Sequence, residues 1–235
     1  CTTTKYRVST NYQLPGQSTQ IICTRANGQA YTAIEVLNNN YAWNEDVVGA
    51  EIGGMKGKAT PMAAATQERL IRFWASPQGA PKAALLAART TNELGPNPSV
   101  GIADGVSTSG SASVAWEGGK PVVTFPIPGV AGATAAATLD AKFMAEKVVV
   151  KQGTNTTEFT YSDYKDWNNK LNLVDVFYAG KMTERRNGVV VRDITTTETE
   201  SGSVYVVMPV PASVKKAITP AAPVPSIEAP AVTLT

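Results

Sequence analysis

Apolar and polar residues alternate with a period near two along most of this chain, which predicts half-buried β-strands. Tyr6 to Tyr12 reads as a first strand. Thr19 to Arg25 and Gln29 to Leu37 flank Asn27-Gly28, and Lys181 to Arg186 and Val189 to Thr197 flank Asn187-Gly188. Asn-Gly suits a two-residue hairpin turn because both residues tolerate positive φ. Tyr41 to Trp43 follows an Asn-rich turn at 38–40 and begins a further short strand. Ser113 to Trp116 and Pro121 to Ile127 bracket Glu117-Gly118-Gly119-Lys120, a third hairpin; Ala135 to Asp140 and Lys147 to Gln152 complete the set of paired runs. Phe159 and Tyr161 keep the strand period, and Tyr164 follows after a shift of one residue.

The period lengthens in one interval. Thr60-Pro61 reads as an N-cap followed by proline at the first helical position, opening a helix that runs to Ala75. Leu70, Phe73 and Trp74 then share one face at i, i+3, i+4. Ser76-Pro77 repeats the start signal ahead of an Ala/Leu-rich helix at Pro81 to Arg89, with Gly79 as a weak point. Residues 91–110 are irregular, and a last helical turn spans Ala212 to Ala217. From Thr219 to Thr235 Pro and Ala recur with no helix or strand period, as in an extended tail. The expected fold is α+β: one strongly curved antiparallel sheet, a half-barrel, with two to three helices on its concave face. The expected organisation is a domain at 1–218 and a tail at 219–235.

Composition narrows the function classes. The 235 residues are 43% apolar and 17% charged, with a formal net charge of +2. That balance gives no electrostatic case for nucleic acid. Lys181, Arg185, Arg186 and Arg192 flank the second Asn-Gly turn, where charge protects an open sheet edge. The low charge load, with Thr, Ser, Asn and Gln in its place, points to an extracytoplasmic setting: periplasmic, outer-membrane-anchored or secreted. No apolar run approaches the roughly 20 residues needed to span a bilayer. Cys1 at the start of the chain is what lipoprotein processing leaves behind, and a lipid there would be the expected link to a membrane. A disulfide between Cys1 and Cys23, or a mere chain boundary, are the alternatives; Cys23 also fits a buried thiol in a strand.

Five runs occur in one order: Tyr-Ala-Trp-Asn-Glu at 41–45, the segment 64–85, Tyr-Ser-Asp-Tyr-Lys-Asp-Trp at 161–167, the hairpin Arg185–Asp193, and Val-Met-Pro-Val-Pro at 207–211. This ordered set resembles the domain that precedes the metallo-β-lactamase-like hydrolase domain in certain bacterial proteins. It is similar in layout to the LolA/LppX-like lipoprotein-carrier fold, over roughly residues 6–217. The resemblance implies a curved antiparallel half-barrel with an apolar pocket, and a role in lipid handling, scaffolding or assembly. The hydrolase part has no counterpart in this sequence, which holds no H-x-H-x-D-H motif and no histidine.

The absence of histidine removes the commonest general base and metal ligand. No CxxC, Walker, GxSxG or GxGxxG motif occurs, and no enzyme, cofactor or metal is expected. The Gly-rich loop at 49–58 lacks the strand-loop-helix spacing of a phosphate site. Asp163 and Asp166, beside Tyr161, Tyr164 and Trp167, fit a sugar site, but turn chemistry explains them better. Leu70, Phe73 and Trp74 on the helix, with Phe159 and Tyr161 on the strand, are the candidate ligand-binding residues; core packing is the competing reading. Two functions follow. One is a non-catalytic binding module for a lipid or other apolar small molecule. The other is a structural subunit that self-associates into a homo-oligomer through open sheet edges and its tail, with the β-prone Val232 and Leu234 adding a strand to a neighbour.

Overall fold

A computed structural model describes residues 2–88, 112–167, 176–200 and 206–218. In chain order the elements are β1 (Thr2–Asn11), β2 (Gly16–Thr24), β3 (Ala30–Asn38), β4 (Tyr41–Glu45), β5 (Ala59–Pro61), α1 (Thr66–Trp74) and α2 (Gly79–Ala88). There follow β6 (Ser113–Glu117), β7 (Lys120–Pro126), β8 (Ala133–Leu139), β9 (Ala145–Gln152), β10 (Asn155–Ser162), β11 (Lys165–Asp166), β12 (Phe177–Tyr178), β13 (Lys181–Arg186), β14 (Val189–Thr195) and α3 (Ala212–Ala217). The architecture is α+β and antiparallel. The strands form a five-stranded sheet β1-β2-β3-β4-β5, a seven-stranded sheet β14-β13-β10-β9-β8-β7-β6 and a two-stranded ribbon β11-β12, where one sheet was expected. The chain divides into two compact units. The irregular interval at 91–110 and the Pro/Ala tail with Val232 and Leu234 lie outside the described residues.

The first unit holds the five-stranded sheet, α1 up to Phe73, and α3. Its core gathers Ile34, Val36, Trp43, Ala59, Met208, Val214 and Ile218. The strands bring the first three together because Val36 faces Trp43 across β3 and β4. The segment 206–211 cannot pair as a regular strand, since Pro209 and Pro211 lack N–H groups. Side chains hold it instead: Asn11 Nδ2 donates to Val206 O at 2.8 Å, and Asn38 Nδ2 donates to Met208 O. A Cβ at Gly16 would meet Met208 Sδ at 3.0 Å, so the close approach needs glycine there.

Thr60-Pro61 does not start a helix. Pro61 pairs with Trp43 in β5, the last strand of its sheet. An edge strand accepts proline because the missing N–H has no strand to face. The helix begins at Thr66, after a 3₁₀ turn at Ala63–Ala65. The Gly-rich loop at 49–58 is held by carboxylates accepting from backbone N–H groups: Glu45 from Gly49, Asp46 from Lys58, Glu51 from Ala59. Ser213 of α3 donates to the other Glu51 oxygen, and that hydroxyl, with the Ala59 N–H, lowers the Glu51 pKa.

Arg69 joins α1 to the sheet. It is 6% exposed, and its Nη1 donates to Val36 O at 2.8 Å and Trp43 O at 2.7 Å. Its Nη2 donates to Asn44 Oδ1 at 2.6 Å. A buried guanidinium is tolerated only when its donors are matched, and these bonds span two adjacent strands.

The second unit holds the seven-stranded sheet and α2. Its hairpins follow the turn chemistry in the sequence: Gly118 and Gly119 take φ of 57° and 79°, and Asn187 and Gly188 take 47° and 84°. Asp163, at φ 55°, ends β10 and accounts for the phase shift between Tyr161 and Tyr164. No helix among the described residues is long and apolar enough to cross a membrane.

Replacing Arg69 with Met leaves the Val36 and Trp43 carbonyls short of a buried donor. The expected loss is on the order of 3 kcal/mol, with Lys restoring only part because it lacks the planar fork. Urea unfolding followed by tryptophan fluorescence measures it; a loss below about 1 kcal/mol would mean water replaces the guanidinium.

Candidate functional site

One row of facing residues crosses the seven-stranded sheet. Val114 faces Val123, Val123 faces Ala137, Ala137 faces Val148, Val148 faces Phe159, Phe159 faces Glu184, and Glu184 faces Arg192. The register puts an apolar band on one face of β6 to β10 and ends it with a charged group. Glu184 is 1% exposed; Arg186 Nε donates to its Oε1 at 2.9 Å, and Arg192 Nε lies 3.5 Å from its Oε2. Paired this way, the carboxylate closes the row without an unmatched buried charge.

Helix α2 lies against β7 on this side. Its sequence, Gly-Ala-Pro-Lys-Ala-Ala-Leu-Leu-Ala-Ala, supplies few bulky side chains. Ser76 starts it: Ser76 Oγ accepts from Gly79 N at 3.1 Å, and Ser76 O accepts from Ala80 N at 2.9 Å. Two i, i+4 ridges, Pro77-Pro81-Leu85 and Ala80-Ala84-Ala88, face a cavity of about 490 Å³. Across it stand Val114, Val123, Phe125, Ala137 and Leu139 of the sheet, with Phe143, Met144, Tyr164 and Phe177 from the turns and short strands. The cavity exists because small alanines from α2 and β8 meet where larger side chains would fill the space.

Its wall holds no charged residue. Two polar side chains belong to it, Gln78 and Tyr164. The Tyr164 hydroxyl donates to Ala145 O at 2.6 Å. Burial, with Asp140 and Tyr178 nearby, raises its pKa well above the ordinary tyrosine range. Gln78 Nε2 donates to Phe177 O at 3.1 Å.

The mouth is apolar as well. Leu85, Val114 and Phe143 on the wall are 62%, 65% and 69% exposed. Phe143 takes φ 60°, a conformation that bulky L-residues avoid. The turn around it is fixed from below: Asp140 Oδ1 accepts from Lys142 N and Met144 N, and Asp140 N donates to Met144 O. The strain thus holds a phenyl ring out at the cavity's edge, and backbone strain of this kind concentrates at functional sites.

The residues singled out in the sequence lie elsewhere. Leu70, Phe73 and Trp74 on α1 are fully buried, and the Phe73 ring rests 4.8 Å from that of Tyr12. Phe159 and Tyr161 are buried side by side on β10, with the Tyr161 hydroxyl donating to Ala75 O at 2.7 Å. None of these five is on the cavity wall. Asp163 ion-pairs with Lys181 at 3.1 Å and Asp166 accepts from Val176 N at 2.9 Å, so both carboxylates serve turns. Cys23 is buried and disulfide-bonded, while Cys1 lies outside the described residues. No group of three or more His, Cys, Asp or Glu among the described residues is placed to hold a metal. The sequence did carry a signal for the cavity: an alanine-rich helix and the alanine-rich strand Ala-Thr-Ala-Ala-Ala-Thr-Leu cannot together fill a core.

Phe143→Gly should stabilise the fold by about 0.5–1 kcal/mol, because glycine removes the left-handed penalty and its own chain entropy offsets part of the gain. A thermal melt checks this; a loss of stability would mean the ring packs instead of being held under strain. Stability should also fall as pH rises above about 10, where an unfolded tyrosine loses its proton while Tyr164 keeps it. Tyr164→Phe should flatten that alkaline limb in unfolding titrations. No family model, no curated protein and no solved structure matches this chain.

Proposed function

We propose that this chain is a non-catalytic, extracytoplasmic binding module that holds a lipid or another apolar ligand in the cavity beneath α2. The observation that carries the reading is the cavity itself: about 490 Å³, walled by aliphatic and aromatic side chains, without a charged residue. The exposed apolar mouth at Leu85, Val114 and Phe143 supports it, since such a rim gives an apolar ligand a continuous path from outside. The disulfide at Cys23 supports an oxidising compartment. The LolA/LppX-like resemblance belongs to the same proposal. In that reading the seven-stranded sheet bends around α2 as a half-barrel, and Cys1, where lipidated, is the membrane link.

A second reading rests on a different observation. β14 is the last strand of its sheet, and Val189, Val190 and Val191 on it are all exposed. An open apolar edge of this kind accepts a strand from a neighbouring copy, which favours self-assembly into a homo-oligomer through sheet edges and tail.

Titration with phenylnaphthylamine, a neutral fluorophore that brightens in apolar surroundings, tests the first reading. The protein should bind it, and Ala84→Phe, which fills the cavity from α2, should weaken binding about tenfold or more with no loss of thermal stability. Binding unchanged by Ala84→Phe, or absent from the parent protein, overturns the cavity reading. A ladder of oligomers in native mass spectrometry, collapsing when residues 219–235 are removed, favours assembly.

A further inference from the structure

The polar atoms on the cavity wall form an unusual set: acceptors are present and donors are spent. Gln78 Nε2 is committed to Phe177 O. That bond fixes which end of the amide is nitrogen, because the flipped amide would set two carbonyl oxygens against each other. Gln78 Oε1 is therefore an acceptor, and it is buried with no donor in reach among the described residues. The Tyr164 hydroxyl has given its one proton to Ala145 O, so its oxygen too has only acceptor capacity left.

The start of α2 does not supply the missing donors. A helix N-terminus ordinarily offers free N–H groups to an anion. Here Gly79 N and Ala80 N both bond Ser76, and Pro81 has no N–H. Lys82 and Lys142 neighbour wall residues in sequence, but neither is on the wall.

We propose that the cavity selects uncharged amphiphiles whose headgroup donates a hydrogen bond, such as alcohols and primary amides, through the buried carbonyl oxygen of Gln78. This rests on the reading that the cavity binds an apolar ligand, and it adds the headgroup class. A carboxylate brings acceptors and a negative charge to a wall that already has acceptors and no cation, and both mismatches disfavour it. An ester of the same chain length avoids the charge but still brings no donor. An alcohol or amide leaves no acceptor unmatched.

The test is displacement of phenylnaphthylamine at pH 8 by decanol, decanamide, methyl decanoate and decanoate, with the parent protein and Gln78→Leu. Decanol and decanamide should compete about tenfold better than methyl decanoate, and decanoate should be the weakest. Gln78→Leu should remove the gap between decanol and methyl decanoate and still bind the fluorophore. If the fluorophore binds but decanol and decanoate compete equally, the headgroup inference is overturned and the cavity reading stands. If the gap survives Gln78→Leu, recognition by Gln78 is overturned. If the parent protein binds no fluorophore, both fall together. Gln78→Glu serves as a second variant of similar size: it should weaken decanoate further relative to decanol, and an improved fit for decanoate would sink the proposal.

Discussion

An antiparallel sheet that buries one face must be covered, and in the second unit the cover is a helix built mostly of alanine. The row from Val114 to Phe159 presents a broad apolar face. Alanine lets α2 approach that face closely, and Ala80 and Ala83 are buried against it. It cannot fill the space between helix and sheet where β8 also offers alanine. The same choice of small residues thus docks the helix and leaves a gap beside it. Phe125, 1% exposed, occupies part of that gap from the sheet side, and the remainder is the cavity.

The gap is too large to be an ordinary packing fault. At roughly 24 cal/mol per Å³, an empty apolar void of this size would cost on the order of 10 kcal/mol, comparable with the whole stability of a typical domain. The cavity is therefore either wet or occupied. Water gains little there, since the wall offers only Gln78 and Tyr164 as polar side chains. An apolar occupant removes the cost and uses the wall as it is built. The exposed ring of Phe143 fits the same account. A turn tied three times to Asp140 could have carried glycine at the left-handed position without strain. Phenylalanine there adds apolar surface at the mouth and nothing to the core.

The sequence was most legible where local chemistry decides the outcome. The turns at Gly118-Gly119 and Asn187-Gly188 and the helix at Ala212–Ala217 are where the pattern put them, because left-handed turns and short helices depend on few residues. Thr60-Pro61 misled because proline serves a helix start and an edge strand equally well, and only the pairing with Trp43 decides. The division into two large sheets was not legible, since hairpin signals say which strands are neighbours and not where a sheet ends. The candidate binding residues were sought among large aromatic side chains. Phe73, Trp74 and Phe159 are large and therefore fill space. The wall of the cavity is marked by what is small, and a search for bulky residues passes over it.

Arg69 and Glu184 had no signature of their own in the sequence, yet each fixes a part of the fold. Arg69 ties α1 to the carbonyls of two strands, and Glu184 closes the apolar row with Arg186 and Arg192. Both groups are buried and matched, so each specifies one arrangement: a register slip in β13 would move Glu184 to the opposite face and strand its charge. The register that keeps Glu184 opposite Phe159 also keeps Val148 opposite Ala137, and Ala137 opposite Val123. A charged group at one end of the sheet thereby holds in register the alanines that leave the cavity open at the other.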